Sequence, residues 1–268
     1  MSTDQAFTGS VPAIYDRFLG PLLFESYAAD MTERVAELAP ETILETAAGT
    51  GILTKALLAR LPGARFTVTD LNPGMLEIAM AHAGGDRTRF EAVDATRLPY
   101  RDGDFDVVVS QFGIMFFPDR VAGYREARRV LAPGGTFLFN AWCSLDDNPV
   151  SKVVHDAVGA LFPDNPPGFM ARTPYGHGSA DEIERDLTAA GFEDMSIERV
   201  ELPCRAPSPE YPAKGFVMGS PLRMEIEERA PGTLDEVAEA VERAVAEQFG
   251  SGPIDSTMAA MVVSARAP

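Results

Sequence analysis

The stretch Glu45-Thr46-Ala47-Ala48-Gly49-Thr50-Gly51 sets small residues directly before an apolar helical pattern, ILTKALLARL. Small residues where a strand turns into a helix let a ligand approach the backbone. A nucleotide-like molecule suits such a turn. A dinucleotide fingerprint needs a further glycine where Thr54 stands, to bring the helix against the sheet beneath a pyrophosphate. The turn therefore suits a cofactor with no pyrophosphate better than a dinucleotide. About 20 residues on, Asp70 is placed to accept both hydroxyls of a ribose. Asp94, followed by Ala95, puts a second acid beside the same crevice, where it can accept from the exocyclic amine of an adenine. Gln111-Phe112 faces the crevice from the other side. Each of these residues alone fits an ordinary strand end or a core position; four strand ends converging on one crevice favour a binding site.

The elements that must hold these residues alternate in type. ETILETA reads as a buried strand and GILTKALLARL as the helix after it, closed by Pro62-Gly63. RFTVTDL reads as a second strand, ending at Asp70. NPGMLEIAMAHA reads as a helix with Asn72 as cap and Pro73 in its first turn. RFEAVDA and FDVVVSQFG supply a third and a fourth strand. DRVAGYREARRVLAPGG is a helix stopped by Pro133-Gly134-Gly135, and TFLFNAW a fifth strand. Strands separated by single helices predict a parallel, doubly wound α/β sheet. Further on, VSKVVHDAVGALF, ADEIERDLTAAGF and TLDEVAEAVERAVAEQFG read as helices, and MSIERVELP and TMAAMVVSARA as strands.

Composition narrows the partners. The chain has 268 residues, 46% of them hydrophobic, which suits a sizeable globular core. Its formal net charge of −17 opposes binding to a phosphate backbone, which relies on clustered Lys and Arg. No apolar run approaches the roughly 20 residues that span a bilayer. The start, MSTDQAFTGSVP, has neither a basic nor an apolar signal region, and the two cysteines, Cys143 and Cys204, form no metal or disulfide pattern. A cytoplasmic protein with a neutral or cationic small-molecule partner is expected, with no nucleic acid, no membrane span and no metal.

ETAAGTG, TDLNPGML, VDATRLPY with DGDFDVVVSQFG, and RVLAPGG, in this order, resemble the class I S-adenosylmethionine-dependent methyltransferases, most of all the ubiquinone and menaquinone C-methyltransferase branch. The similarity is strong over Ala13 to Trp142. It implies a Rossmann-like, seven-stranded, mostly parallel sheet with helices on both faces and an antiparallel last strand, here TMAAMVVSARA. It implies S-adenosyl-L-methionine as cofactor. Matched position by position, Glu45, Ala47, Gly49 and Gly51 form the cofactor loop, and Asp70 is the acid on the ribose. Leu71 and Met75 are the apolar contacts beside the adenine, and Asp94 and Ala95 the pair reading its edge. Gln111 lies beside the methionine moiety. Ala47 departs from the usual glycine; alanine is small, and β-like backbone conformations accept it.

The whole chain, 1–268, then reads as one methyltransferase domain. Residues 1–40 form a cap over the site, 41–142 the cofactor-binding core, and 143–180 and 204–252 cap insertions on the substrate side. Tyr15, Phe112 and Phe116 are candidates to face a sulfonium by cation–π attraction, with Tyr15 folding over the site. Of the three histidines, His82 is expected at the surface, while His155 and His177 fall in the acceptor region. His155, on a helix, is the candidate base for a phenol or enol proton. Phe162, Phe169, Tyr175, Phe216, Met218 and Met224 suggest an apolar, adaptable wall for a small or medium acceptor. Two other readings stay open: an NAD(P)-dependent oxidoreductase, disfavoured by Thr54 and the lack of a Tyr-x-x-x-Lys pair, and an S-adenosylmethionine-binding protein without turnover.

Overall fold

The computed structural model describes residue 7 and residues 9–268. Its centre is a seven-stranded sheet in the order β3-β2-β1-β4-β5-β7-β6. The strands are β1 (Thr42–Glu45), β2 (Arg65–Asp70), β3 (Thr88–Ala92), β4 (Phe105–Gln111), β5 (Leu131–Trp142), β6 (Asp194–Ala206) and β7 (Ile254–Arg266). The middle strands read as unbroken apolar runs because both of their faces are covered. Ile43 and Leu44 of β1 and Val107, Val108 and Val109 of β4 are all buried. Ile43 pairs in parallel with Phe66 of β2 and Val107 of β4. β5 extends the parallel set, with Gln111 opposite Asn140, and β7 closes antiparallel against β5, with Phe139 opposite Val263. The strand order reverses between β1 and β4, which is the switch point where ligands lie in such sheets.

The boundary between the helix after β4 and β5 differs from the sequence reading. The helix Arg120–Val130 ends before Pro133, and Pro133-Gly134-Gly135 fall within β5. There the ladder is irregular: Phe105 pairs with Leu131, whereas Val107 pairs with Thr136. Gly135 allows this, since a Cβ on it would stand 2.8 Å from the Asp106 carbonyl oxygen.

The chain packs as two compact units. One comprises Tyr27–Trp142, His177–Val200 and Ala260–Pro268, and holds β1 to β5. In it the Tyr27 hydroxyl donates to the Val200 carbonyl at 2.8 Å, and the helix Ala180–Ala190 ends on left-handed Gly191.

The other unit comprises the described residues up to Ser26, Cys143–Gly176 and Glu201–Ala259. It includes the helices Pro149–Leu161, Glu210–Gly219 and Leu234–Phe249, and a wide-turned segment, Tyr15–Phe24, in which the Glu25 N–H reaches back to the Gly20 carbonyl. Such i→i+5 geometry recurs at functional sites. Gly215 and Gly219 of the helix Glu210–Gly219 admit the Tyr15–Phe24 segment. A Cβ on Gly215 would lie 2.5 Å from Leu19, and one on Gly219 would lie 2.9 Å from the Tyr15 nitrogen. Glu225 accepts from the Gly168 N–H at 2.7 Å and from Arg172 at 2.8 Å.

Candidate functional site

β1 ends at Glu45, a carboxyl buried at 1% exposure. Its Oε2 accepts the Thr54 hydroxyl at 2.6 Å. Burial pushes the Glu45 pKa up to about 8; the Thr54 hydrogen bond opposes that shift, and the Asp70 charge adds to it. Thr54, read from the sequence as a missing glycine, is thus the partner of a buried acid. After Glu45 the backbone turns through three left-handed residues: Ala47 at φ +52°, Gly49 at +56° and Gly51 at +79°. The Ala48 N–H donates to Thr69 at 2.9 Å, which pins the turn to β2. Gly51 lies against the helix Pro73–Ala83, where a Cβ would stand 2.9 Å from the Ala79 Cα.

The β-like conformation expected for Ala47 does not hold. A left-handed backbone costs an L-residue roughly 1–2 kcal/mol. The methyl itself sits against Gly113 after β4, on which a Cβ would come within 2.4 Å of the Ala47 Cβ. Absence of a side chain at Gly113 leaves room for the methyl of Ala47.

Asp70 ends β2 and is 7% exposed. Its Oδ2 accepts the Gly49 N–H at 2.8 Å, and its Oδ1 accepts the Asn72 N–H at 2.8 Å. Burial raises its pKa, while the N–H groups of Asn72 and Gly49 oppose the rise. Asn72 caps the next helix through its backbone, and its side chain turns back to Asp70 at 3.4 Å. Leu71 is half-buried, and Met75 is buried on that helix's first turn. Asp94 is exposed; its Oδ1 accepts the Thr96 N–H at 2.8 Å and hydroxyl at 2.7 Å. Ala95 and Gln111 are half-buried.

Phe112, immediately after β4, is left-handed at φ +53°, one of three such non-glycine residues among the described residues, with Ala39 and Ala47. Its N–H donates to Asn140 Oδ1 at 2.8 Å. Its ring stacks on Trp142 with centroids 3.7 Å apart and an interplanar angle of 6°, and Tyr27 stands edge-on to both rings. Strained residues gather where a site over-determines the backbone, and here two of them, Ala47 and Phe112, flank the β1/β4 switch point.

Glu45, Ala47, Gly49, Gly51, Asp70, Leu71, Met75, Asp94, Ala95, Gln111 and Phe112 thus all belong to one unit, at or just after the carboxyl ends of β1 to β4. Tyr15 and His155 belong to the other unit. There Tyr15 stacks on Phe24 at 5.0 Å. His155 is half-buried on the helix Pro149–Leu161, one turn after Ser151, whose hydroxyl pairs with that of Tyr175 at 2.6 Å. Phe169, Tyr175 and Phe216 of the expected apolar wall are buried, whereas Phe162 and Met218 are half-buried and Met224 is exposed. His82 is exposed, as expected, with Nδ1 3.1 Å from the Thr50 carbonyl. His177 has a structural environment. Its Nδ1 lies 2.9 Å from Arg120 Nη1, and Arg120 Nε donates to Asp186 at 2.8 Å. Burial and then the Arg120 charge lower the His177 pKa. Among the described residues no group of three His, Cys, Asp or Glu could hold a metal ion, and no helix is long and apolar enough to cross a membrane. Sequence reasoning passed over Gly113 and Asn140, and took Thr54 only as an absent glycine. Only Asn140, a polar residue inside the apolar run TFLFNAW, left a local signal.

These residues fit a nucleoside cofactor that carries an amino acid rather than a pyrophosphate. The position a dinucleotide needs as glycine holds Thr54, whose hydroxyl is committed to Glu45. Asp70 Oδ2 takes one N–H from the turn, and a carboxylate oxygen has about two acceptor sites, so it can also receive a ribose hydroxyl.

Comparison with known proteins agrees. Residues 44–139 match the family described as methyltransferase domain. The chain is 34% identical over 184 residues to a malonyl-[acyl-carrier protein] O-methyltransferase of Geobacter sulfurreducens, covering 65% of this chain and 67% of that protein. It is 43% identical over 121 residues to the demethylmenaquinone methyltransferase of Thermus thermophilus, covering 42% of this chain and 55% of that protein. The chain thus spans about two thirds of the first relative and little more than half of the second. A phosphoethanolamine N-methyltransferase 2 of Haemonchus contortus, solved with S-adenosyl-L-methionine, shares the fold. Its TM-score is 0.62 at 16% identity, over 100% of this chain and 60% of that one.

Proposed function

The chain belongs to the class I S-adenosylmethionine-dependent methyltransferases, and on that premise we propose that it methylates a small or medium, partly apolar organic acceptor at an oxygen, carbon or nitrogen nucleophile. The observation that supports this most is the Asp70 carboxylate at the end of β2, tied to the Gly49 N–H of a turn held left-handed at Ala47, Gly49 and Gly51. S-adenosyl-L-methionine supplies, when bound, a methyl group already activated by a sulfonium. The protein then has to orient and shield. Asp70 accepts the ribose hydroxyls, Asp94 and Ala95 read the adenine edge, and Leu71 and Met75 flank the ring. The Glu45–Gly51 turn and the Gln111-Phe112 corner hold the methionine end. Alignment of the nucleophile with the methyl is the main catalytic contribution.

His155 takes the acceptor's proton when the acceptor is a phenol or enol. The relatives' names support an organic acceptor, since one is an O-methyltransferase of a malonyl-[acyl-carrier protein] and the other a demethylmenaquinone methyltransferase. Within the unit that holds His155, the half-buried Phe162 and Met218 and the exposed Met224 offer adaptable apolar surface. Calorimetry with S-adenosylmethionine, its demethylated product and NAD tests the cofactor; binding of NAD alone contradicts the proposal. A methyl-transfer screen over phenols, quinols, amines and carboxylic acids identifies the acceptor class. An unchanged turnover for His155→Ala removes the histidine from the mechanism.

A further inference from the structure

Phe112 adopts a backbone conformation that a bulky L-residue avoids, so something must hold it there. Two neighbours in β5, Asn140 and Trp142, supply the hold. The Phe112 N–H, which leaves the β4 ladder as the chain turns, ends on Asn140 Oδ1 at 2.8 Å. The ring lies flat on Trp142. Asn140 is fully buried, and its Nδ2 has no hydrogen-bond partner among the described residues. A buried asparagine in an apolar strand is costly when one of its polar atoms is unpaired. A leucine of similar size would suit the strand better on packing grounds alone. Its acceptor oxygen is therefore what the position provides.

We infer that Asn140 is a positioning residue for the cofactor site, fixing the Gln111-Phe112-Gly113 corner through the Phe112 N–H. The inference rests on the proposed reading that this corner holds the methionine end of S-adenosylmethionine. The corner faces the Ala47 turn directly: Gly113 stands where any side chain would strike the Ala47 methyl and, at 2.8 Å, the Ser110 hydroxyl oxygen. Gln111 leaves β4 opposite Asn140 in register. Without the Asn140 oxygen the Phe112 N–H loses this acceptor, and relaxation of φ toward the allowed region swings both Gln111 and Gly113. The cofactor turn and the corner then lose their mutual fit.

Calorimetry of S-adenosylmethionine with Asn140→Leu, Asn140→Asp and Phe112→Ala tests this below the melting temperature of each variant. Asn140→Leu keeps the size and removes the acceptor, and about a tenfold weaker cofactor affinity is expected. Asn140→Asp keeps an acceptor oxygen and should stay within about threefold of the parent protein. Where Asn140→Leu does not fold, Asn140→Ser, too short to reach the amide, takes its place with the same expectation. Phe112→Ala weakening the cofactor while Asn140→Leu leaves it unchanged overturns the inference and spares the site. Unchanged affinity in both removes the corner from the cofactor site itself. Failure of Asn140→Asp to restore binding also overturns the inference, because the acceptor oxygen is then not what matters.

Discussion

Replacing Gly113 by alanine puts a methyl 2.4 Å from the Ala47 Cβ and 2.8 Å from the Ser110 hydroxyl oxygen. Gly113 itself has φ −96° and ψ −32°, a conformation open to alanine, so any cost is steric. Carbon atoms normally meet at about 3.5–4.0 Å, and overpacking of this kind costs about 1–3 kcal/mol. Ala47→Gly acts in the opposite direction. It relieves roughly 1–2 kcal/mol of left-handed strain and gives back about 0.4–1 kcal/mol through a freer unfolded chain, so this variant should be more stable by about 0.5–1 kcal/mol. Combining the two removes the methyl–methyl clash and leaves only the contact with Ser110, whose hydroxyl donates to Thr46 at 3.1 Å. The double variant should therefore recover about 1–2 kcal/mol beyond the sum of the single changes, a coupling typical of side chains in contact. Urea unfolding of the parent, both single variants and the double variant closes the cycle. Additivity within about 0.5 kcal/mol would show that Ala47 and Gly113 do not share the space described for them.

Two pH dependences follow from buried groups. Glu45 binds its proton more tightly when folded, with a pKa near 8. Its stabilisation is complete below the ordinary carboxyl value and is lost as pH rises through about 8. Glu45→Gln should flatten the fall in melting temperature between pH 5 and 8, and parallel curves for the two proteins would exclude a buried protonated carboxyl. His177 behaves oppositely, because burial and Arg120 lower its folded pKa below the ordinary 6.5. The stabilisation it gives is present above pH 6.5 and is lost on acidification toward its folded pKa. His177→Gln, which keeps an acceptor for Arg120, should reduce the difference in unfolding midpoint between pH 5 and 7. An unaltered difference would mean that the imidazole does not titrate against Arg120.

Features that repeat locally were legible in the sequence. Alternating apolar strands and amphipathic helices place β1 to β5 in order, and Asp70 and Asp94 stand where strand-end acids should. The resemblance added the antiparallel orientation of the last strand, found as β7 beside β5. Pairings between distant segments were not legible. Ala47 looks harmless beside its neighbours, yet its backbone is left-handed and its methyl fits only because Gly113, far along the chain, has no side chain. Thr54 registers as an absent glycine until its hydroxyl is seen on Glu45. His177 resembles His155 as a candidate base until Arg120 is found at its ring nitrogen. In each case the deciding partner comes from another element, and local spacing holds no record of it.

The most direct test is a crystal structure with S-adenosylhomocysteine bound. The account predicts its ribose hydroxyls on Asp70, its adenine edge at Asp94 and Ala95, and its amino-acid end against the Glu45–Gly51 turn and the Gln111-Phe112 corner. A ligand seated away from the carboxyl ends of β1 and β2, with Asp70 making only its bonds to Gly49 and Asn72, would contradict it.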